Sequence, residues 1–420
     1  MMPAPPRLTR RGVLAGLATL AAAQPARWAA ADDVAAITVK QIAGGAAFEP
    51  TLPNSFGNGD RLRFDLTNSL AAPITLAAFG LDGVSTLQPL LNAAIAPGRT
   101  QLIDAPLAQS GTFAVQARTF DDGLGRSAAN AAFSVGEPSP LEIDQDRILL
   151  IEDARLRSDG TAVQPGTDAG DARVAYTINR LQSFELKVRA NERLRLRLID
   201  GCQRNAIALQ FDDHDLRVIA IDSRPAEPFL ARDRRLILAP GTRMDVLVDA
   251  TQPADSISAV QLFDGGGPKR IGQLVYADSA PARANILPAA AALADVPVKL
   301  ELAAAQRAQL DLGATDWVAA KDFVDKRPLP AFRVKRGRTV LLTLTNRTTL
   351  PTTFRLYGHH FRWLDRLDDG WKPFLLDTML VDVGQTERIA FRADFPGDWL
   401  IENTAMNWAA PQRFHWFVVE

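Results

Sequence analysis

At 420 residues, with 47% hydrophobic and 23% charged side chains, the chain has a soluble globular balance and is too long for one ordinary core. A formal net charge of −1 at pH 7 gives no electrostatic footprint for nucleic acid, and the lone cysteine, Cys202, excludes an internal disulfide. No apolar run beyond the extreme N-terminus reaches the ~18 residues of a membrane-spanning helix.

Residues 1–31 read as an export signal rather than as structure. Thr9-Arg10-Arg11-Gly12-Val13-Leu14 has the twin-arginine form, the apolar run Gly12 to Ala23 follows, and Ala29-Ala30-Ala31 supplies an A-x-A cleavage site. Arg10 and Arg11 are therefore assigned to export into the periplasm. Cleavage removes four arginines and no acids, which leaves a mildly acidic mature surface.

The mature sequence alternates as strands do. Arg61-Leu62-Arg63-Phe64-Asp65-Leu66, Arg193-Leu194-Arg195-Leu196-Arg197-Leu198 and Thr339-Val340-Leu341-Leu342-Thr343-Leu344 each place apolar residues on one face. Asn58-Gly59, Pro97-Gly98, Pro240-Gly241 and Pro396-Gly397 mark turns between strands. A turn, an alternating strand and a terminal Asn or Asp recur at Gly59–Asn68, Asn191–Asp200 and Gly337–Asn346. A glycine turn leading into an apolar strand recurs at Gly98, Gly241 and Gly384, 143 residues apart in both intervals. Two elements in the same order, three times over, predict three copies of one β-sandwich domain. The boundaries are placed by composition at 32–138, 139–280 and 297–420, with an Ala- and Pro-rich linker over 281–296.

The third copy carries Val334-Lys335-Arg336-Gly337, Gly358-His359-His360-Phe361, Leu376-Asp377-Thr378 and Phe395-Pro396-Gly397-Asp398-Trp399. The second carries Tyr176-Thr177-Ile178-Asn179, Leu196-Arg197-Leu198-Ile199-Asp200, His214-Asp215-Leu216 and Leu238-Ala239-Pro240-Gly241-Thr242-Arg243-Met244-Asp245-Val246. The first matches more weakly, through Ile74-Thr75-Leu76 to Gly80 and through Gly111-Thr112-Phe113. In these motifs and their order the chain resembles the three-domain multicopper oxidases. The resemblance implies an all-β fold of three cupredoxin-like Greek-key β-sandwich domains in tandem.

It also locates where copper would be held. Successive strand residues face opposite ways, so His-x-His aims two imidazoles at one metal cluster, and a blue-copper centre adds two histidines and a thiolate. At the position of the family's first His-x-His-Gly stands Ala77-Ala78-Phe79-Gly80, and at the second His-x-His stands Gln116-Ala117-Arg118. The third motif, His-Pro-x-His-Leu-His-Gly, has become Thr352-Thr353-Phe354-Arg355-Leu356-Tyr357-Gly358. The fourth, His-Cys-His, has become Glu402-Asn403-Thr404, with Trp408 and Arg413 at the downstream ligand positions. The family's set takes ten histidines and a cysteine, whereas this chain has four histidines, His214, His359, His360 and His415. The sequence therefore predicts no copper, no other cofactor and no catalytic residue. The replacements are expected either to form ion pairs between the arginines and Glu402, with aromatics filling the remainder, or to line a cleft that takes a small anion.

The remaining candidates have plain readings. Adjacent His359 and His360 face opposite sides of a strand and are poorly placed to share a metal. His214 and Cys202 read as structural, and Asp212, Asp213, Asp215, Asp368 and Asp369 as turn residues. Arg193, Arg195 and Arg197 share one strand face and are the sequence's best surface for an acidic partner. Trp363 and Trp371 flank a predicted hairpin, Leu364 to Gly370, as interface anchors. Two functions follow: a copper-free periplasmic scaffold that binds other proteins as a monomer, akin to cell-division members of the family, or an oxidoreductase with a reduced or relocated copper site.

Overall fold

Each copy pairs two sheets face to face in the computed structural model, which describes residues 34–42, 45–120, 125–364 and 371–420, with backbone alone for 371–373. The proposed export signal, Asp368 and Asp369, most of the predicted hairpin and the Trp371 side chain lie outside the described residues.

In the first sandwich one sheet runs Gly45–Glu49, Ala35–Ile42, Arg61–Asn68, Thr100–Pro106, and the other runs Ser55–Phe56, Arg126–Val135, Gly111–Thr119, Ile74–Phe79. The second sandwich is centred on Arg193–Asp200, held between Gln145–Leu156 and Arg243–Asp249, with Ile207–Phe211 and Ile257–Phe263 in the facing sheet. The third sets Thr339–Thr345 beside Thr386–Arg392, facing the neighbouring strands Thr352–Leu356, Gly397–Ala405 and Gln412–Val419. The cupredoxin-type sandwich expected from the sequence is thus present three times. Residues 286–293 form no helix; instead, the carbonyls of Leu287 and Pro288 accept hydrogen bonds from Arg193 at 2.8 and 2.7 Å. Among the described residues no helix is long and apolar enough to cross a membrane.

The two repeated sequence elements turn out to be partners. In every copy the alternating strand pairs antiparallel with the strand that follows the glycine turn. The glycine N–H donates to the carbonyl of the strand's terminal residue: Gly98 to Asn68, Gly241 to Asp200 (both 2.7 Å) and Gly384 to Asn346 (2.9 Å). These glycines hold φ of 70°, 90° and 70°, a region that side chains disfavour, which is why glycine recurs there.

The buried terminal residue caps its own loop by the same geometry each time. Its side-chain Oδ1 accepts from the amide two residues on, Leu70, Cys202 or Thr348. Asn68 and Asn346 then donate through Nδ2 to two backbone carbonyls apiece. Asp200 has no such N–H, its Oδ2 is buried without a partner, and burial pushes its carboxyl well above the ordinary value of 3.8. The native state therefore retains a proton there that the unfolded chain releases, so this residue's contribution falls as pH rises from about 4 toward the folded-state value. Asp200→Asn is expected to raise stability at pH 7 by about 1 kcal/mol and to flatten that pH dependence, as read by urea unfolding at pH 5 and 8. An unchanged or lower midpoint at pH 8 would contradict it.

Candidate functional site

The strands Ile74–Phe79 and Gly111–Thr119 lie side by side with Ala77 opposite Gln116, so alternation sends Ala77, Phe79, Gln116 and Arg118 out of one face. In the third sandwich Arg355 lies opposite Glu402, and Thr353 opposite Thr404. The two faces meet. Arg118 forms a fork-to-fork ion pair with Glu402, Nη1 to Oε2 at 2.7 Å and Nη2 to Oε1 at 3.0 Å. The Tyr357 hydroxyl accepts from Arg118 Nη1 at 3.0 Å and donates to Glu402 Oε2 at 2.9 Å. Arg355 Nη1 and Gln412 Nε2 each donate to Glu402 Oε1 at 3.2 Å.

All members are buried, with 2% of Arg118 and 4% of Arg355 and Glu402 exposed. Burial by itself raises the Glu402 carboxyl, but Arg118 and Arg355 outweigh it and hold the group far below the usual carboxylate range. Phe79 lies beneath the Arg355 guanidinium, 4.2 Å from ring centre to Cζ. Arg355 Nη2 also reaches the Pro240 carbonyl of the second sandwich, and it can do so because residue 241 is glycine: a Cβ there would sit 2.0 Å from that nitrogen. The cavity left between Gln116, Arg118, Thr353, Arg355, Glu402 and Gln412 is about 20 Å³, room for one or two waters. Of the two arrangements open at the sequence level, the arginine–glutamate pairing is the one formed.

These residues do not fit copper. A guanidinium stays protonated and offers no lone pair, and the carboxylate's oxygens are already taken by six donors. Two fixed cations would also repel a metal ion. The four positions that would form the blue-copper centre do not converge on a donor set either. Thr352 and Asn403 donate to the carbonyls of Leu350 and Leu312, and exposed Arg413 donates to that of Trp317. Trp408 is buried under Arg155, whose guanidinium carbon lies 5.2 Å from the ring centre. Among the described residues no group of three or more His, Cys, Asp or Glu side chains could hold a metal ion.

Arg193, Arg195 and Arg197 require a correction. They are buried, 5%, 1% and 2% exposed, and cannot meet an acidic partner from solution. Their strand is central in its sheet, and acids line up against them: Asp249 on Arg193, Asp245 and Glu137 on Arg195, Asp146 and Asp245 on Arg197. Asp245 also accepts from Thr112 of the first sandwich, so this face is an internal interface. Trp363 is half-buried against the core and donates to Glu387 at 2.8 Å. His359 is enclosed by Phe391, Phe395, Trp399 and Phe417, and burial lowers it to about 4. His214 bridges the Asp212 carbonyl and the Tyr276 hydroxyl, and burial raises the Cys202 thiol well above its ordinary value.

Sequence reasoning missed a second buried network, 80–82 with 222, 243, 360 and 377. Arg243 donates to both oxygens of Asp377, at 3.0 and 2.8 Å, and Asp377 accepts from Gly80 N–H at 2.8 Å. Asp222 Oδ2 accepts from the amides of Asp377 and Thr378, both at 3.2 Å. The available signal was charged residues standing inside otherwise apolar motif segments, at Arg243, His360 and Asp377.

Two family models, each described as multicopper oxidase, match residues 146–265 and 297–420. Solved structures that resemble the chain include multi-copper oxidases from Pseudomonas thermotolerans (19% identity, TM-score 0.76, 92% of this chain and 98% of that one) and Pseudomonas parafulva (19%, 0.75, 92% and 100%). Lac15 from a marine microbial metagenome is similar too (22%, 0.72, 92% and 100%). No curated protein matches the chain.

Truncating one partner of the buried triad leaves charges unpaired, whereas removing all of them does not. Glu402→Leu is expected to cost about 3–5 kcal/mol in urea unfolding at pH 7. The triple change Arg118→Met, Glu402→Leu, Arg355→Leu is expected to recover most of that loss. A triple variant no more stable than the single one would show that the pairing itself is a net source of stability. Because the Glu402 carboxyl is depressed, its contribution is complete above the ordinary glutamate value and is lost as pH falls toward the folded-state value, so the single variant's deficit should shrink below pH 4.

Proposed function

The chain belongs to the multicopper oxidase family, and from that membership we propose that it is a copper-free member that keeps the three-sandwich body as a scaffold for binding other proteins. The observation that carries this reading is the Arg118–Glu402–Arg355 network: the positions that hold oxygen-reducing copper in the family are occupied by cations paired to a saturated carboxylate. Such a centre cannot take electrons from a substrate or pass them to oxygen, and among the described residues no group of three or more His, Cys, Asp or Glu side chains replaces it.

The location and role extend the same reading. The twin-arginine form of Arg10-Arg11 supports delivery of an already folded protein to the periplasm, and the three sandwiches share buried polar contacts that a folded export substrate would carry intact. By resemblance to copper-free family members, the partners are proteins of the cell envelope, with a role in cell division or protection under envelope stress.

Protein purified from the periplasm of copper-supplemented cells is expected to contain far less than one copper per chain by mass spectrometry. It is also expected to leave phenols and cuprous ion unoxidised. Near-stoichiometric copper with turnover would instead establish an oxidoreductase with a relocated site. Deletion under envelope stress is expected to give chained or filamentous cells; normal septation would remove the division role and leave the scaffold.

A further inference from the structure

His360 stands where the three sandwiches meet and touches all of them. It lies on the third. Its Nδ1 is 2.7 Å from Asp82 Oδ1 in the first, and its Nε2 is 2.6 Å from the Asp222 carbonyl oxygen in the second. Both partners are acceptors with no proton to give. A neutral imidazole carries one N–H, so both contacts form together only when the ring is an imidazolium. The ring is buried, and Asp82 is fixed in turn by Gln109, which donates to its other oxygen at 2.9 Å.

We propose that His360 is a proton-held latch, which ties the three sandwiches together while its ring is charged and loosens their junction when the ring loses its proton. With one proton gone, either the Asp222 carbonyl or the Asp82 carboxylate faces a nitrogen lone pair at hydrogen-bond distance, and one contact becomes repulsive. The charged groups around the ring make that loss consequential. Asp82 faces it from the loop after Ile74–Phe79, Asp222 from the turn between Arg217–Ile221 and Arg224–Leu230, Arg224 from the start of the latter strand, and Asp377 from the end of Trp371–Leu376. Arg243, on the strand Arg243–Asp249, is committed to Asp377, and Arg224 to Asp295. Neighbouring His359 is neutral and points into the aromatic core. A neutral His360 therefore leaves Asp82 with no other ion pair among the described residues.

The direction of the pH effect follows. Burial opposes charge on the ring, but Asp82 outweighs it and raises the group above its ordinary 6.5. The latch contributes fully below that ordinary value and is lost as pH rises through the raised one. Loss at the acid end comes only when Asp82, itself held below 3.8, takes up a proton. One apolar cluster runs through the second and third sandwiches and a smaller one takes residues from all three, so these contacts hold the body together while the polar junction loosens.

The test uses the whole mature protein, ¹⁵N-labelled at its histidines, titrated from pH 5 to 10 by NMR with amide exchange followed in parallel. One ring is expected to carry both protons at pH 6. Its titration is expected to coincide with an exchange increase of tenfold or more at Gly83, Asp377 and Thr378, the amides that bridge the junction. Asp82→Asn, which keeps the shape and removes the countercharge, is expected to lower that midpoint by about one pH unit or more. His360→Gln is expected to exchange fast at every pH. A His360 ring with a single proton at pH 6, junction amides that do not follow its titration, or an Asp82→Asn midpoint that stays in place would each overturn the latch.

Discussion

A carboxylate buried between two guanidiniums sets the geometry on which the rest of this molecule depends. Glu402 comes from the third sandwich and Arg118 from the first, and their forked pair leaves little freedom of angle or distance between the two. Arg355 extends the contact to the second sandwich through the Pro240 carbonyl, in the space a glycine leaves open. Removing ions of this kind from water is costly, so the arrangement persists only because nearly every polar atom in it is answered.

The second network follows the same rule with different members. Arg243, Asp377, Asp222, His360 and Asp82 are drawn from all three sandwiches, and Arg243 is entirely buried. Across both networks the cations Arg118, Arg355, Arg243 and His360 stand against the acids Glu402, Asp377, Asp222 and Asp82. That balance is the physical reason the site does not call for a small anion. It also gives the frame a sensitivity that apolar interfaces lack, since one of its members is a histidine, whose ring can lose its charge where a guanidinium does not.

Much of the fold was legible because it is written three times. The alternating strand, its terminal Asn or Asp and the glycine turn recur with regular spacing, and the structure shows why they travel together: each glycine amide bonds the terminal residue of the strand it pairs with. The loss of copper ligands was legible too, because a ligand is a residue type and four histidines cannot do the work of ten. The pairing of Arg118 and Arg355 with Glu402 was one of two arrangements the sequence left open, the one expected from the cost of burying unpaired charge.

What misled was the strand Arg193–Asp200. Period-two alternation correctly places Arg193, Arg195 and Arg197 on one face, but a strand pattern does not say what covers that face. The covering acids come from residues 137, 146, 245 and 249, far away in sequence or across the sheet. The His360 junction was hidden for the same reason, since Asp82 and the Asp222 carbonyl lie 278 and 138 positions away. Residue types and local periods, which act over a few positions, determined the three sandwiches and the absence of copper ligands from the sequence alone. Which buried charge meets which was decided only when three domains closed on one another, because electrostatic pairing depends on distance in space and is blind to distance along the chain.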